Sequence, residues 1–188
     1  VLTGQGASVV AEGTDDPMGS TIAGTDGVRT LTQCVKPASR GVIALPATAD
    51  TQLKIVNPDA SEAAIDLTLY GAEGEIQSLG ARGITLAAYE ERVIALSVLT
   101  KKATPVGVSF QASRGRGAVM AITQTQSSGT AAGPSQLGTS HLLPGIPAGA
   151  TSSVVVLANP GETRITANLT AYGTTPAYHP QGGENISV

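Results

Sequence analysis

Two histidines, one cysteine and a few clustered carboxylates are the groups in this 188-residue chain whose types suit chemistry. His141 stands in a stretch rich in Gly, Pro and Ser, and His179 precedes Pro180. Neither has an Asp, Glu or Cys at the spacing a metal site uses, so both read as exposed loop residues. A Ser-His-Asp site draws its members from distant parts of a chain and stays open at this level, although no G-x-S-x-G elbow is present. Asp15-Asp16 and Glu90-Glu91 are sequence neighbours. Adjacent side chains diverge on a strand, so neither pair forms an acid/base couple. Asp15, Asp16 and Asp26 could offer oxygens to Ca²⁺, but they lack the alternate-position spacing of an EF-hand loop. Cys34 is alone, which rules out an internal disulfide and a cysteine zinc cluster. The string LTQC resembles a lipoprotein cleavage box, yet Gln33 is too large for the residue before the cysteine, and a free buried thiol is expected. Asn168-Leu-Thr and Asn185-Ile-Ser match the N-glycosylation sequon, the first inside an expected strand. The expectation is no catalytic residue, no cofactor and no metal.

Charged residues make up 13% of the chain, about half the usual quarter, and there are 23 glycines and no tryptophan. A hydrophobic fraction of 41% argues for a folded chain. The net charge of −3, with 11 Lys and Arg in all, offers phosphate backbones nothing, so no nucleic-acid partner is expected. No run approaches the roughly 18 to 20 apolar residues that cross a bilayer, so this fragment is not expected to insert in a membrane. The first residue is Val1 and no signal-peptide core is present, which reads as a piece of something longer.

The elements that would position any site are short strands. Residues 1–27 read as loop with one short strand at Ser8 to Ala11. Leu53 and Ile55 alternate with Gln52 and Lys54, and Ala63, Ile65, Leu67 and Leu69 alternate with Ala64, Asp66, Thr68 and Tyr70 up to Gly71. That period of two predicts half-buried strands. VIALSVL at 93–99 reads as another strand, as does the run in which Val106, Val108 and Phe110 share a face. RGRG at 114–117 suits a hairpin into AVMAITQTQ. Strands every 8 to 12 residues with Gly and Pro between them predict an all-β sandwich or barrel.

One phrase occurs twice. NPDASEAAIDLTLYG begins at Asn57 and NPGETRITANLTAYG at Asn159, 102 positions later. At that offset Asn-Pro, Leu-Thr, Tyr-Gly, Gly80/Gly182 and Ile84/Ile186 all coincide. A period this long means two copies of one domain, and Asn-Pro serves as turn punctuation because Asn bonds its own backbone and Pro fixes φ. The expected divisions are a loop-rich segment 1–27, a first sandwich 28–130, a linker 131–150 and a partial second copy 151–188. In that copy Val188 aligns with Leu86. Either the native chain continues or the segment with Val9-Val10 returns to supply a strand.

VRTLTQCVKP, LKIVNPDASEAAIDLTLYGAEGE and LPGIPAGATSSVVVLANPG, in that order, resemble a family of actinobacterial secreted or membrane-anchored proteins defined by an extracytoplasmic domain of unknown function. The resemblance implies an anchor outside this piece and brings no catalytic residues. The resulting expectation is all-β, two tandem immunoglobulin-like sandwich copies with the second incomplete. Its function would be that of a non-enzymatic structural or protein-interaction module of a bacterial cell envelope. A carbohydrate-binding module acting on cell-wall glycan is the alternative. Recognition is expected at an exposed sheet edge or at the loops carrying Asn57, Pro58, Tyr70, Asn159, Pro160 and Tyr172. The partner is an unidentified envelope protein or glycan.

Overall fold

A computed structural model describes residues 20–25, 28–33, 35–45, 50–100, 107–124, 129–135, 137–141, 155–172 and 177–188. The chain is all-β, with antiparallel sheets and one short helix among the described residues. β1 (Ser20–Thr25) and β2 (Val28–Gln33) form a ribbon. β3 (Arg40–Ala44), β4 (Thr51–Val56), β5 (Ala63–Gly71), β6 (Gly74–Ile76), β7 (Ile84–Leu86) and β8 (Glu91–Ala95) follow. After α1 (Leu96–Leu99) come β9 (Gly107–Arg114), β10 (Ala118–Gln124) and β11 (Gly129–Ala132), then β12 (Thr166–Ala167) and β13 (Ile186–Ser187).

Two sheets hold most of these strands. One runs β3-β9-β5-β6 with β7 also on β5, and the other β11-β10-β4-β8. Each strand has one apolar face, so each sheet needs the other to cover it. Ile43, Ile65, Leu67, Leu69, Val108 and Phe110 from the first meet Leu53, Ile55, Val119 and Ala121 from the second in a single buried cluster. Burial of one such aliphatic side chain contributes about 1.5 to 3 kcal/mol. The arrangement is that of a sandwich. Ser135 adds a backbone bridge to Val42 on the edge strand β3, so the chain stays with these sheets beyond β11.

The alternating strands lie where periodicity places them, and two connections and two elements differ. β4 and β5 are not sheet neighbours, because residues 57–62 carry the chain from one sheet to the other. The same holds for β9 and β10, where a hairpin was expected. Gly117 sits in that crossing with no room for a side chain, since a Cβ there would run into Ile65. Alternation identifies a strand's apolar face but not which sheet it joins. VIALSVL splits into β8 and α1, whose Leu96 and Leu99 are both buried, one helical turn apart. β1 occupies a stretch read as loop and pairs with β2 from Ser20 with Gln33 to Thr25 with Val28; Asp26 lies outside the described residues. Ser8 to Ala11, Val9-Val10, Asp15, Asp16, Cys34 and Val106 lie outside the described residues.

Candidate functional site

Asn57 is wholly buried, at 0% exposure. Its Nδ2 donates to the carbonyls of Ser61 (2.7 Å) and Ala87 (2.8 Å), while its Oδ1 accepts the N–H of Asp59 (3.1 Å). The amide thus holds the crossing between sheets and ties it to the end of β7. Asn159 does the same with fewer neighbours: Nδ2 donates to Thr163 (2.9 Å) and Val188 (3.2 Å), and Oδ1 accepts from Gly161 (3.0 Å). Further contacts recur at the same offset. The Asp66 carboxylate accepts the Gly83 N–H (2.6 Å), and the Asn168 side-chain oxygen accepts the Asn185 N–H (2.7 Å). Leu67 N–H reaches Ala81 and Leu169 N–H reaches Gly183. Ile65 pairs with Ile84, and Ala167 with Ile186. Gly83 and Asn185 both have left-handed backbones, at φ +65° and +53°, a region that Gly and Asn tolerate best.

What surrounds the two hairpins differs. Ala63, Ile65, Leu67 and Leu69 are fully buried against β9 and the facing sheet. At the equivalent places Ile165 is 48% exposed, and Ala167, Leu169 and Ala171 are partly open. Along 165–171 the N–H groups of Ile165, Leu169 and Ala171 all point to the side of Val188, Gly183 and Tyr178. Alternate residues of an extended strand point the opposite way, so the backbones of Thr166, Asn168 and Thr170 face the edge that β9 fills on β5. Among the described residues β12 pairs with β13 only.

Charge differs too. Glu62 holds Arg114 at 2.5 Å, and Asp59 holds Arg116 through both carboxylate oxygens at 2.9 to 3.2 Å. The hydrogen bond from Arg116, and then its charge, draw the Asp59 carboxyl below the usual range. In the second hairpin these acids are replaced by Arg164 and Gly161.

A groove of about 1380 Å³ forms a second feature. Its floor is the outward face of the first sheet, where Arg40, Gln111 and Asp66 stand in one row and Val42, Ser109 and Thr68 in the next. Tyr70 closes one end, its hydroxyl 3.1 Å from Ser109 Oγ. Pro160 lines the same groove, and a Cβ on Gly107 would come within 2.9 Å of Ala158. Tyr70 and Pro160 thus line one groove, whereas Asn57 with Pro58 and Tyr70 flank opposite ends of β5. Hydroxyls and an amide on this face suit hydrogen bonding to a polar ligand. Asp66 already receives Gly83.

The two histidines and the Glu90-Glu91 pair have local partners. His141 Nε2 lies 3.1 Å from the Gly138 carbonyl, and His179 Nδ1 lies 2.9 Å from the Leu169 carbonyl. Glu90 and Glu91 diverge: Glu90 accepts from the Ala87 N–H and Arg92, which lower its carboxyl in that order, and Glu91 pairs with Lys54. Among the described residues no cluster of three or more His, Cys, Asp or Glu is placed to hold a metal ion, and no helix is long and apolar enough to cross a membrane. Tyr172 is 76% and Tyr178 57% exposed. Tyr178 bridges to Ala171, so its side chain shares the face of Ala171, opposite that of Tyr172. Sequence reading missed the left-handed backbone of Tyr89 (φ +59°) and the reversal at Arg164. The first has no local signal, whereas the second is visible once the two phrases are aligned.

The model of a family described as "Family of unknown function (DUF5719)" matches residues 5–188. The chain belongs to this family. The match spans both hairpins, and the family's description assigns no activity and no residue roles. No curated protein and no solved structure matches the chain.

Proposed function

We propose that this chain is a non-enzymatic structural or protein-interaction module of a bacterial cell envelope, extracytoplasmic and secreted or anchored, built on two tandem copies of an immunoglobulin-like sandwich with the second incomplete. The observation that supports the reading is the half-open apolar face at 165–171, whose outer strand edge has no partner among the described residues, where the equivalent residues 63–69 are enclosed. An unpaired edge beside aliphatic side chains is a template for another strand. The location rests on the resemblance of the quoted segments to secreted and anchored actinobacterial proteins.

Immobilised protein exposed to solubilised envelope components tests this. The wild type is expected to retain a protein, and Thr170→Pro, which inserts a residue without an N–H into the edge, is expected to lose it. Retention by purified wall glycan alone, indifferent to Thr170→Pro, would transfer the reading to a carbohydrate-binding module.

A further inference from the structure

We infer that the groove on the outward face of the first sheet binds a short peptide with free termini, a site separate from the face at 165–171. Arg40, Gln111 and Asp66 stand side by side on β3, β9 and β5, and all three line the groove. Neighbouring strands lie about 4.8 Å apart, so the row spans about 10 Å from cation through amide to anion. An extended peptide covers about 3.3 to 3.6 Å per residue, which sets its carboxylate and ammonium that far apart at about three residues. Its carboxylate would meet Arg40, a peptide amide Gln111 and its ammonium Asp66. In the neighbouring row Val42 offers an apolar surface, and Ser109 and Thr68 offer hydroxyls, to what projects from the peptide backbone.

These groups are available to a ligand. The Arg40 guanidinium and the Gln111 amide form no ion pair or side-chain hydrogen bond among the described residues. The other basic side chains on the groove are engaged: Arg82 faces Glu75 at 3.7 Å, and Lys36 also has a partner. Asp66 gives one oxygen to the Gly83 N–H, and the repeat shows that this task needs no charge, since Asn168 performs it for Asn185. The carboxylate charge of Asp66 is thus surplus to the turn. A ligand with a single charge would leave one end of the row unanswered. An added strand does not fit here, because β9 is already paired on both sides. The groove volume of about 1380 Å³ leaves room for the peptide's side chains and for bridging water.

Trialanine with free termini, its N-acetyl form, its C-terminal amide and the doubly capped peptide are titrated into the whole chain, with backbone amide shifts followed by NMR. Trialanine is expected to shift the amides of Gln111, Ser109 and Thr68, each single cap to weaken binding about fivefold, and the double cap to remove it. Arg40→Gln is expected to make the free and amidated peptides bind alike while acetylation still weakens binding. Asp66→Asn, which leaves Gly83 its acceptor, is expected to make the free and acetylated peptides bind alike while amidation still weakens binding. Trialanine that leaves these amides unmoved, or capped peptides that bind as well as the free one, would overturn the proposal, as would equal sensitivity to both caps in either variant. Retention of an envelope protein through Thr170 bears only on the face at 165–171, so either conclusion can fail without the other.

Discussion

Residues 57–86 and 159–188 make the same turns with the same backbone partners, yet one hairpin lies inside a core and the other does not. The difference separates two roles that a single structure usually mixes. Asn-Pro corners, left-handed Gly83 or Asn185 and the Asp66 or Asn168 side-chain oxygen set local shape. Enclosure comes only from β9 and the facing sheet, and the second hairpin keeps its shape without them among the described residues.

Substitutions at equivalent positions should break this symmetry. Leu67→Ala removes a fully buried side chain and is expected to cost about 3 kcal/mol in urea denaturation, against about 1 kcal/mol or less for Leu169→Ala. Equal losses would mean that the second face is covered in solution. Asn57→Ala strips the donors from the Ser61 and Ala87 carbonyls in a dry setting, an expected loss of about 2 kcal/mol. For Asn159→Ala the expected loss is about 0.5 kcal/mol, because water replaces the amide. Smaller again, Gly83→Ala meets no neighbouring atom and costs about 1 kcal/mol through its positive φ alone, while Asn185→Gly stays within about 0.5 kcal/mol of wild type by the same assay.

The smallest effect is on pH. Asp59 and Glu90 have carboxyls lowered on folding, so their contribution is present above the unfolded values of 3.8 and 4.5 and is lost as pH falls through the depressed folded values. Stability should therefore decline below about pH 4.5, and the decline should be shallower in Asp59→Asn combined with Glu90→Gln. The second hairpin has Gly161 in place of Asp59, so its local stability should follow this acid limb less closely, as residue-resolved exchange across pH would show.

Much of the framework was legible because alternation at 53–55 and 63–69 is a direct statement of which side chains face the core. The repeat was legible too, and so was the role of Asn-Pro as a turn. Sheet membership was not, since β4, β5, β9 and β10 carry the same period whichever sheet they join. Leu96 and Leu99 hid a helical turn because four residues are too few to show a period. Of the residues expected at recognition loops, Asn57 turned out to be enclosed, whereas Tyr172 is exposed, a distinction made by tertiary packing that no local pattern contains.

Hydrogen exchange at matched amides separates local shape from enclosure. Leu67 and Leu169 donate equivalent bonds, to Ala81 and Gly183 at 2.7 and 2.6 Å, so hydrogen-bond geometry alone would protect them equally. Leu67 is expected to exchange only with global unfolding, and Leu169 to open locally at least tenfold faster. Asn168 and Thr170 are expected to exchange fastest of all in that strand. Equal protection of Leu67 and Leu169, with Asn168 and Thr170 slow as well, would contradict that separation.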